Sequence, residues 1–329
     1  MSGGLPGRRL SRSDETLRVS RLRGPVVRRP GSSAMMGRMA SASGQILSVL
    51  ATSGRFERLA RGLPGGDRVA YHLALRYVAG RERGDAFART RELAEGGLSA
   101  SIDFFGENVT DPSEAEGVAD SYVCLAGALK DAPAGTFVSL DLSHIGLDQP
   151  GDGTRRRLTR IAEALPAGAR LQVGAEQAER ADRILGSVIA VAKTGAPVSA
   201  TVQANLKRSP SDASRLADAG VPIRLVKGAY LEKPSIAHAS GEPTDLAFLD
   251  LAHELHRAGA GLALGTHDPV LREALLRALP GIGVEMLLGV RPEDARALAA
   301  RNVAVRIYVP YGNNWFRYAM RRLAESRRT

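Results

Sequence analysis

Near the C-terminus of the 329-residue chain, Tyr318, Arg321, Arg322 and Glu325 recur at i, i+3, i+4 and i+7, which gathers them on one face of a helix. Adjacent arginines present two planar guanidinium forks to a carboxylate, whereas a lysine offers only a point charge. Glu325 can pair with either arginine and keep the fork oriented. The pair follows directly on YVPYG at 308–312, a strand and turn rich in aromatic groups, so an enclosed anion clamp is favoured over a solvated surface.

A second group of chemistry-bearing residues lies in IRLVKGAY at 223–230. Arg224 and Lys227 would point to opposite faces of an ideal strand, but Gly228 lets the chain bend and bring Lys227 back. Such cations can hold a phosphate or polarise an isoalloxazine ring; a salt-bridged structural role for Arg224 is the rival. His267, in THDP at 266–269, can hydrogen-bond a cofactor from a strand end or serve structure alone. His253 and His256 share a helical stretch with no third ligand in view, so no metal site is expected. G-x-S-x-G is absent and Cys124 falls in a helical stretch, which leaves no candidate for a covalent nucleophile.

The elements that must position these residues follow from periodicity. Residues 43–95 read as helices, ILSVLATSGRFERLARGL and RVAYHLALRYVAG, parted by the turn-like PGG at 64–66. Beyond them, β-rich runs at 98–105, 137–142, 169–173, 197–203, 222–227, 261–266, 281–288 and 303–309 alternate with stretches whose apolar residues recur every three or four positions. Eight such repeats predict an α/β fold of the (β/α)8 TIM-barrel type with an N-terminal helical extension. A doubly wound open sheet would show a glycine fingerprint after its first strand, and none is present. In a barrel whose interior is filled by packed side chains, polar strand-end residues face the open rim. Asp103, Glu107, Asp141, His144, Gln203, Arg224, Lys227, Tyr230, Thr266, His267, Asp268, Glu285 and Tyr308 are therefore expected around that mouth.

Composition excludes several classes. With 44% hydrophobic and 24% charged residues the chain can bury a core, which argues against a disordered or fibrous protein. The net charge of +10 is concentrated in residues 1–40, where nine arginines stand against Asp14 and Glu15, so no basic stripe for nucleic acid is expected on the folded part. That segment reads as a basic disordered arm, with Met35, Met36 or Met39 as candidate natural starts. The expected organisation is thus an arm over 1–40, helices over 41–96 and the barrel over 97–329. A single cysteine permits no intrachain disulfide and fits a reducing compartment. No secretory or membrane-spanning segment is found, which points to the cytoplasm while leaving room for peripheral membrane contact.

DFFGENVT at 103–110, VQANLKR at 202–208, RLVKGAY at 224–230, EMLLGV at 285–290 and above all YVPYGNNWFRYAMRRLAE at 308–325 resemble the flavin-dependent proline dehydrogenase family. The similarity runs over roughly residues 45–329, with the motifs in family order. It implies a distorted (β/α)8 barrel, noncovalent FAD, oxidation of L-proline to Δ1-pyrroline-5-carboxylate, and transfer of electrons to a membrane quinone or other acceptor. It would place Arg224 near the flavin N5 and Gln203 against the ring system, with Lys227, Gly228, Thr266 and His267 helping to hold the cofactor. Arg321 and Arg322 would clamp the substrate carboxylate, Tyr230, Leu287, Tyr308 and Tyr318 would line its pocket, and Glu107 would pair with Arg321 and close the site.

Two positions depart from the family pattern. SLDL puts Asp141 where the family has a clamp lysine, and VGAEQ puts Gly174 where it has an aspartate. An anion in place of a cation beside the substrate carboxylate should cost several kcal/mol of binding in a partly desolvated pocket, unless Asp141 accepts a substrate cation instead. These departures favour a proline-related amine, imine or hydrazine-like acid of specialised metabolism as the alternative substrate. They also motivate a reading from another class, a barrel that binds a ligand or protein without turnover. A metal-dependent lyase is a third reading, which the lack of a ligand cluster disfavours.

Overall fold

The computed structural model describes residues 54–326. The expected arm over 1–40, the candidate starts and the beginning of the first helix lie outside the described residues. Three helices come first: α1 (Gly54–Gly62), α2 (Gly66–Ala74) and α3 (Arg83–Glu95). Sequence periodicity carries α2 on to Gly80, but the chain leaves the helix at Ala74. From there Tyr77 and Val78 are buried, Ala79 N–H donates to Pro310 O and Gly80 O accepts from Gly312 N–H. Those bonds tie residues 77–80 to the end of the last strand, a tertiary demand that local periodicity does not contain. The helix α3 then starts on a reciprocal cap between Glu82 and Asp85.

Eight parallel strands follow and close into a ring in sequence order: β1 (Ser99–Phe104), β2 (Phe137–Leu140), β3 (Leu171–Val173), β4 (Val198–Gln203), β5 (Ile223–Val226), β6 (Leu262–Gly265), β7 (Gly283–Leu287) and β8 (Val305–Tyr311). β8 pairs back onto β1 over six residues. The main helices after each strand are α4 (Pro112–Ala128), α5 (Gly153–Glu163), α6 (Ala181–Ala192), α7 (Ser209–Asp218), α8 (Glu242–Arg257), α9 (Pro269–Ala278), α10 (Pro292–Ala300) and α11 (Trp315–Ser326).

Strand alternation sends the apolar residues outward. Ile102, Val138, Leu171, Ala200, Leu225, Leu264, Val284 and Ile307 join Tyr122, Leu158, Val188, Leu216 and Phe248 of the helices in one buried cluster. The other face of the strands is polar. Register places Asp103 beside Ser139, Ser139 beside Gln172, Gln172 beside Ser199, and Thr201 beside Arg224. Gln172 Nε2 donates to Thr201 Oγ1 at 3.1 Å and Ser199 Oγ to Gln172 Oε1 at 2.8 Å, so these buried groups satisfy one another. The barrel is not filled throughout. Ala263 and Gly283 face inward side by side, and a cavity of about 350 Å³ opens at the N-terminal ends of the strands.

Candidate active site

The last helix decides where its arginines go. α11 is held by a separate apolar cluster in which Trp315, Phe316 and Ala319 pack with Ala74, Tyr77, Val78 and Phe105. Trp315 lies 5.2 Å from the Tyr71 ring, so α11 rests on the N-terminal helices on one side. On the other, the Tyr318 ring stands 5.2 Å from Phe105 and 6.0 Å from Tyr308, both at the C-terminal end of the barrel. This packing puts Arg321 and Arg322, both partly buried, over the mouth. The Arg322 guanidinium lies 5.3 Å from the Tyr318 ring and its charge bears on His267; the charge of Arg321 bears on Tyr230.

Strand ends supply the floor. His267 follows β6, and its Nε2 accepts from Leu287 N–H at 3.1 Å, which ties Leu287 at the end of β7 into the same corner. Accepting there requires the proton on Nδ1, which is buried without a partner. Burial first, then the Arg322 charge, holds the imidazole down at about 4, so it stays neutral at pH 7. Thr266 is buried and its hydroxyl accepts from Asp268 N–H. Gln203, buried at the end of β4, donates to Glu176 O at 2.8 Å. Gly228 has φ 118°, and a side chain there would collide with Asn205, so glycine is required where the loop after β5 presses on the loop after β4.

Acidic groups face this corner. Burial raises Asp103 to about 7, with the Ser139 and Tyr308 hydroxyls and the Arg224 charge pulling the other way. Asp141 is raised well above the usual carboxylate range, first by burial and then by the charges of Asp103 and Glu176. Its carboxyl lies directly above Gly174, in space that any side chain on residue 174 would claim. Burial and these same acids push the Tyr308 and Tyr230 hydroxyls up, so both remain neutral donors.

The sequence-derived candidates therefore divide. Arg321, Arg322, Tyr318, Tyr308, Tyr230, Leu287, Thr266, His267, Gln203 and Asp141 gather at the mouth. Lys227 is nearby but engaged, 2.6 Å from Asp245 and 2.9 Å from Asp268. Glu107 is exposed and forms no ion pair with Arg321, a correction consistent with the small gain of such contacts in water. The side chain of Glu325 lies outside the described residues. Glu285 is not at the rim: level with Arg306 in β7–β8 register, it faces the opposite end of the barrel. Arg224, second in its strand, lies deep in the interior, 3.1 Å from Thr201 Oγ1 and 3.5 Å from Glu285 Oε2. Sequence reasoning passed over Glu176, buried two residues beyond Gly174 and paired with Arg180 at 2.7 Å. It also passed over Phe105, whose only signal is its place one residue past a strand end.

What this corner can hold is a flat polar heterocycle. An imidazole N–H without a partner among the described residues, a buried amide, a buried threonine and guanidinium groups bring donors together at the strand ends, a set suited to the acceptor-rich edge of a flavin.

Comparison with known proteins identifies the family. A sequence profile of the proline dehydrogenase family matches residues 86–329. The proline dehydrogenase of Deinococcus radiodurans is 31% identical over 271 residues, covering 78% of this chain and 87% of that protein. Proline dehydrogenase 1 of Bacillus subtilis strain 168 is 31% identical over 260 residues, covering 77% of this chain and 86% of its own. Among solved structures, proline utilization A (PutA) from Bdellovibrio bacteriovorus, inactivated by N-propargylglycine, superposes with a TM-score of 0.75 over 90% of this chain at 17% identity. The corresponding protein of Corynebacterium freiburgense gives 0.64 over 88%, also at 17% identity. This chain spans 38% and 33% of those two longer proteins, and at that identity the likeness concerns the fold. The chain belongs to the proline dehydrogenase family.

Proposed function

We propose that the chain is an FAD-dependent oxidoreductase that takes two electrons from proline, giving Δ1-pyrroline-5-carboxylate, or from a closely related amino or imino acid. The observation that carries this reading is the position of Arg322 beside Tyr318 and the neutral His267, with the charge of Arg321 bearing on Tyr230. Arg321 and Arg322 bind the substrate carboxylate as a bidentate clamp and so fix where the carbon–hydrogen bond next to nitrogen points. Tyr230, Leu287, Tyr308 and Tyr318 wall the pocket and exclude water. Gln203, Thr266 and the His267 Nδ1–H hold the noncovalent cofactor, and Arg224 adds positive charge beneath it. Bound FAD supplies the acceptor for the two electrons. Lys227, braced by Asp245 and Asp268, with Gly228 shapes the loop that borders the cofactor.

The visible spectrum of purified protein tests this directly, followed by anaerobic titration with proline and related amines. Flavin should be retained and bleached by at least one of them; folded protein that neither carries nor can be reconstituted with FAD rules the reading out. Bleaching by any amine also excludes a binding-only barrel. A second reading, a non-proline amine or hydrazine-like acid as substrate, is favoured by the Asp141 carboxyl above Gly174, a buried acid that a substrate cation would help to ionise and then pair with.

Electrons then pass to a quinone or another acceptor. No described helix is long and apolar enough to cross a membrane. Leu59 on α1, Leu63 in the turn after it, and Val69 and Leu73 on α2 are exposed, and through them a peripheral membrane contact would be made.

A further inference from the structure

At the end of the barrel opposite the mouth, the cavity of about 350 Å³ is lined by Phe137, Arg170, Arg224, Glu285 and Arg306 among the strand starts. At a liquid volume of about 30 Å³ per water, it has room for a phosphate or a compact carboxylic acid. Three guanidinium groups share it with one carboxylate. That carboxylate, Glu285, lies 3.5 Å from Arg224 and is the anion whose charge supports Arg170 and Arg306 as well. Among the described residues the Arg170 guanidinium has no hydrogen bond or ion pair within bonding distance. Arg306 donates through one Nη to Gly135 O at 3.2 Å, while its Nε is buried without a partner.

Phe137 organises these two cations. The Arg306 guanidinium carbon lies 3.4 Å from the centre of its ring and that of Arg170 lies 5.5 Å from it. Contact over an aromatic face leaves the N–H edges of a guanidinium for other acceptors. Burial lowers the pKa of both arginines, and Arg170 further disfavours the charge on Arg306, so positive charge is concentrated where compensation is incomplete. Glycines 261, 281 and 283 line the same opening and keep it clear of side chains.

We propose that this cavity is a second ligand site, separate from the barrel mouth, which binds a small oxyanion, phosphate or carboxylate, between Arg170 and Arg306. The anion supplies the charge and the acceptors that Glu285 alone does not, and it sits at the other end of the Arg224–Glu285 pair from the mouth.

The test uses the full chain loaded with its flavin, so that phosphate does not occupy the cofactor's own site. Thermal midpoints are compared in sodium phosphate, sodium malonate and sodium chloride at matched ionic strength. Phosphate or malonate should raise the midpoint above chloride by about 3 °C at well over the dissociation constant, and Arg170→Gln with Arg306→Gln should abolish the difference. A rise with phosphate alone identifies a phosphate site and a rise with malonate alone a carboxylate site. No rise with either, or an equal rise in the double variant, overturns the proposal. If the double variant does not fold, phenylglyoxal labelling of the unaltered protein replaces it. The bound anion should slow modification of Arg170 and Arg306 about tenfold while exposed Arg155 is unaffected, and equal rates at all three overturn it.

Discussion

Arg321 and Arg322 differ in what surrounds them, and their variants should differ accordingly. Arg322 sits by the Tyr318 ring and His267, so Arg322→Ala should raise the proline concentration for half-maximal flavin reduction about 100-fold, the loss of two charge-assisted hydrogen bonds. Flavin content, read from the visible spectrum, should persist. Asp141→Lys replaces a buried acid, held toward its neutral form, with a cation at the barrel mouth, and Gly174 keeps that space clear of a second side chain. It should raise the rate of proline-dependent flavin reduction at low substrate about tenfold or more; an unchanged rate would show that Asp141 does not oppose proline. Asp103 supplies a stability test. Its carboxyl stands at about 7 in the folded chain against 3.8 for the free group, so the native state holds a proton that the unfolded chain has lost between those values. Stability from this group is present at low pH and lost as pH rises through 7. Asp103→Asn should therefore gain on the unaltered protein by a few kcal/mol between pH 4 and pH 8 in urea titrations, since each tenfold change in proton affinity is worth about 1.4 kcal/mol. At this scale the sequence was legible where motif and residue type coincide, as in RR, THD and SLDL. It was not legible for Glu176 or Phe105, which matter through contacts made by other elements.

Strand positions were readable to within two residues in all eight cases, because apolar runs bounded by glycine and proline have no competing period. Where an element points was harder. Glu285 and Arg224 carry polar side chains on short strands, and only the stagger between neighbours reveals that they sit deep in the barrel rather than at its rim. The premature end of α2 has the same origin, since the bonds that stop it come from β8 and the turn after it. Gly289, at the end of the β7 turn, exposes this dependence: its φ is 75° and a Cβ would collide with Arg76 O. Gly289→Ala should push residues 75–80 off the barrel and lower the thermal midpoint by several degrees, as measured by circular dichroism, even though no chemistry-bearing side chain is touched.

Among the described residues, the two larger apolar clusters are of unequal size, one between sheet and helices and a smaller one under α11. The single tryptophan, Trp315, is fully buried in the smaller cluster. Its fluorescence should change at lower urea than the far-ultraviolet circular dichroism of the barrel, since a cluster with less apolar contact opens locally first; coincident transitions would mean that α11 and the ring unfold together. The ring itself has a further effect. With β8 hydrogen-bonded to β1, the sheet has no border of unpaired amides and carbonyls on which another chain could add a strand. Amyloid-like growth would have to wait for the circle to break, so opening of the β1–β8 seam, rather than exposure of any surface loop, should set the rate at which heated protein begins to form fibrils.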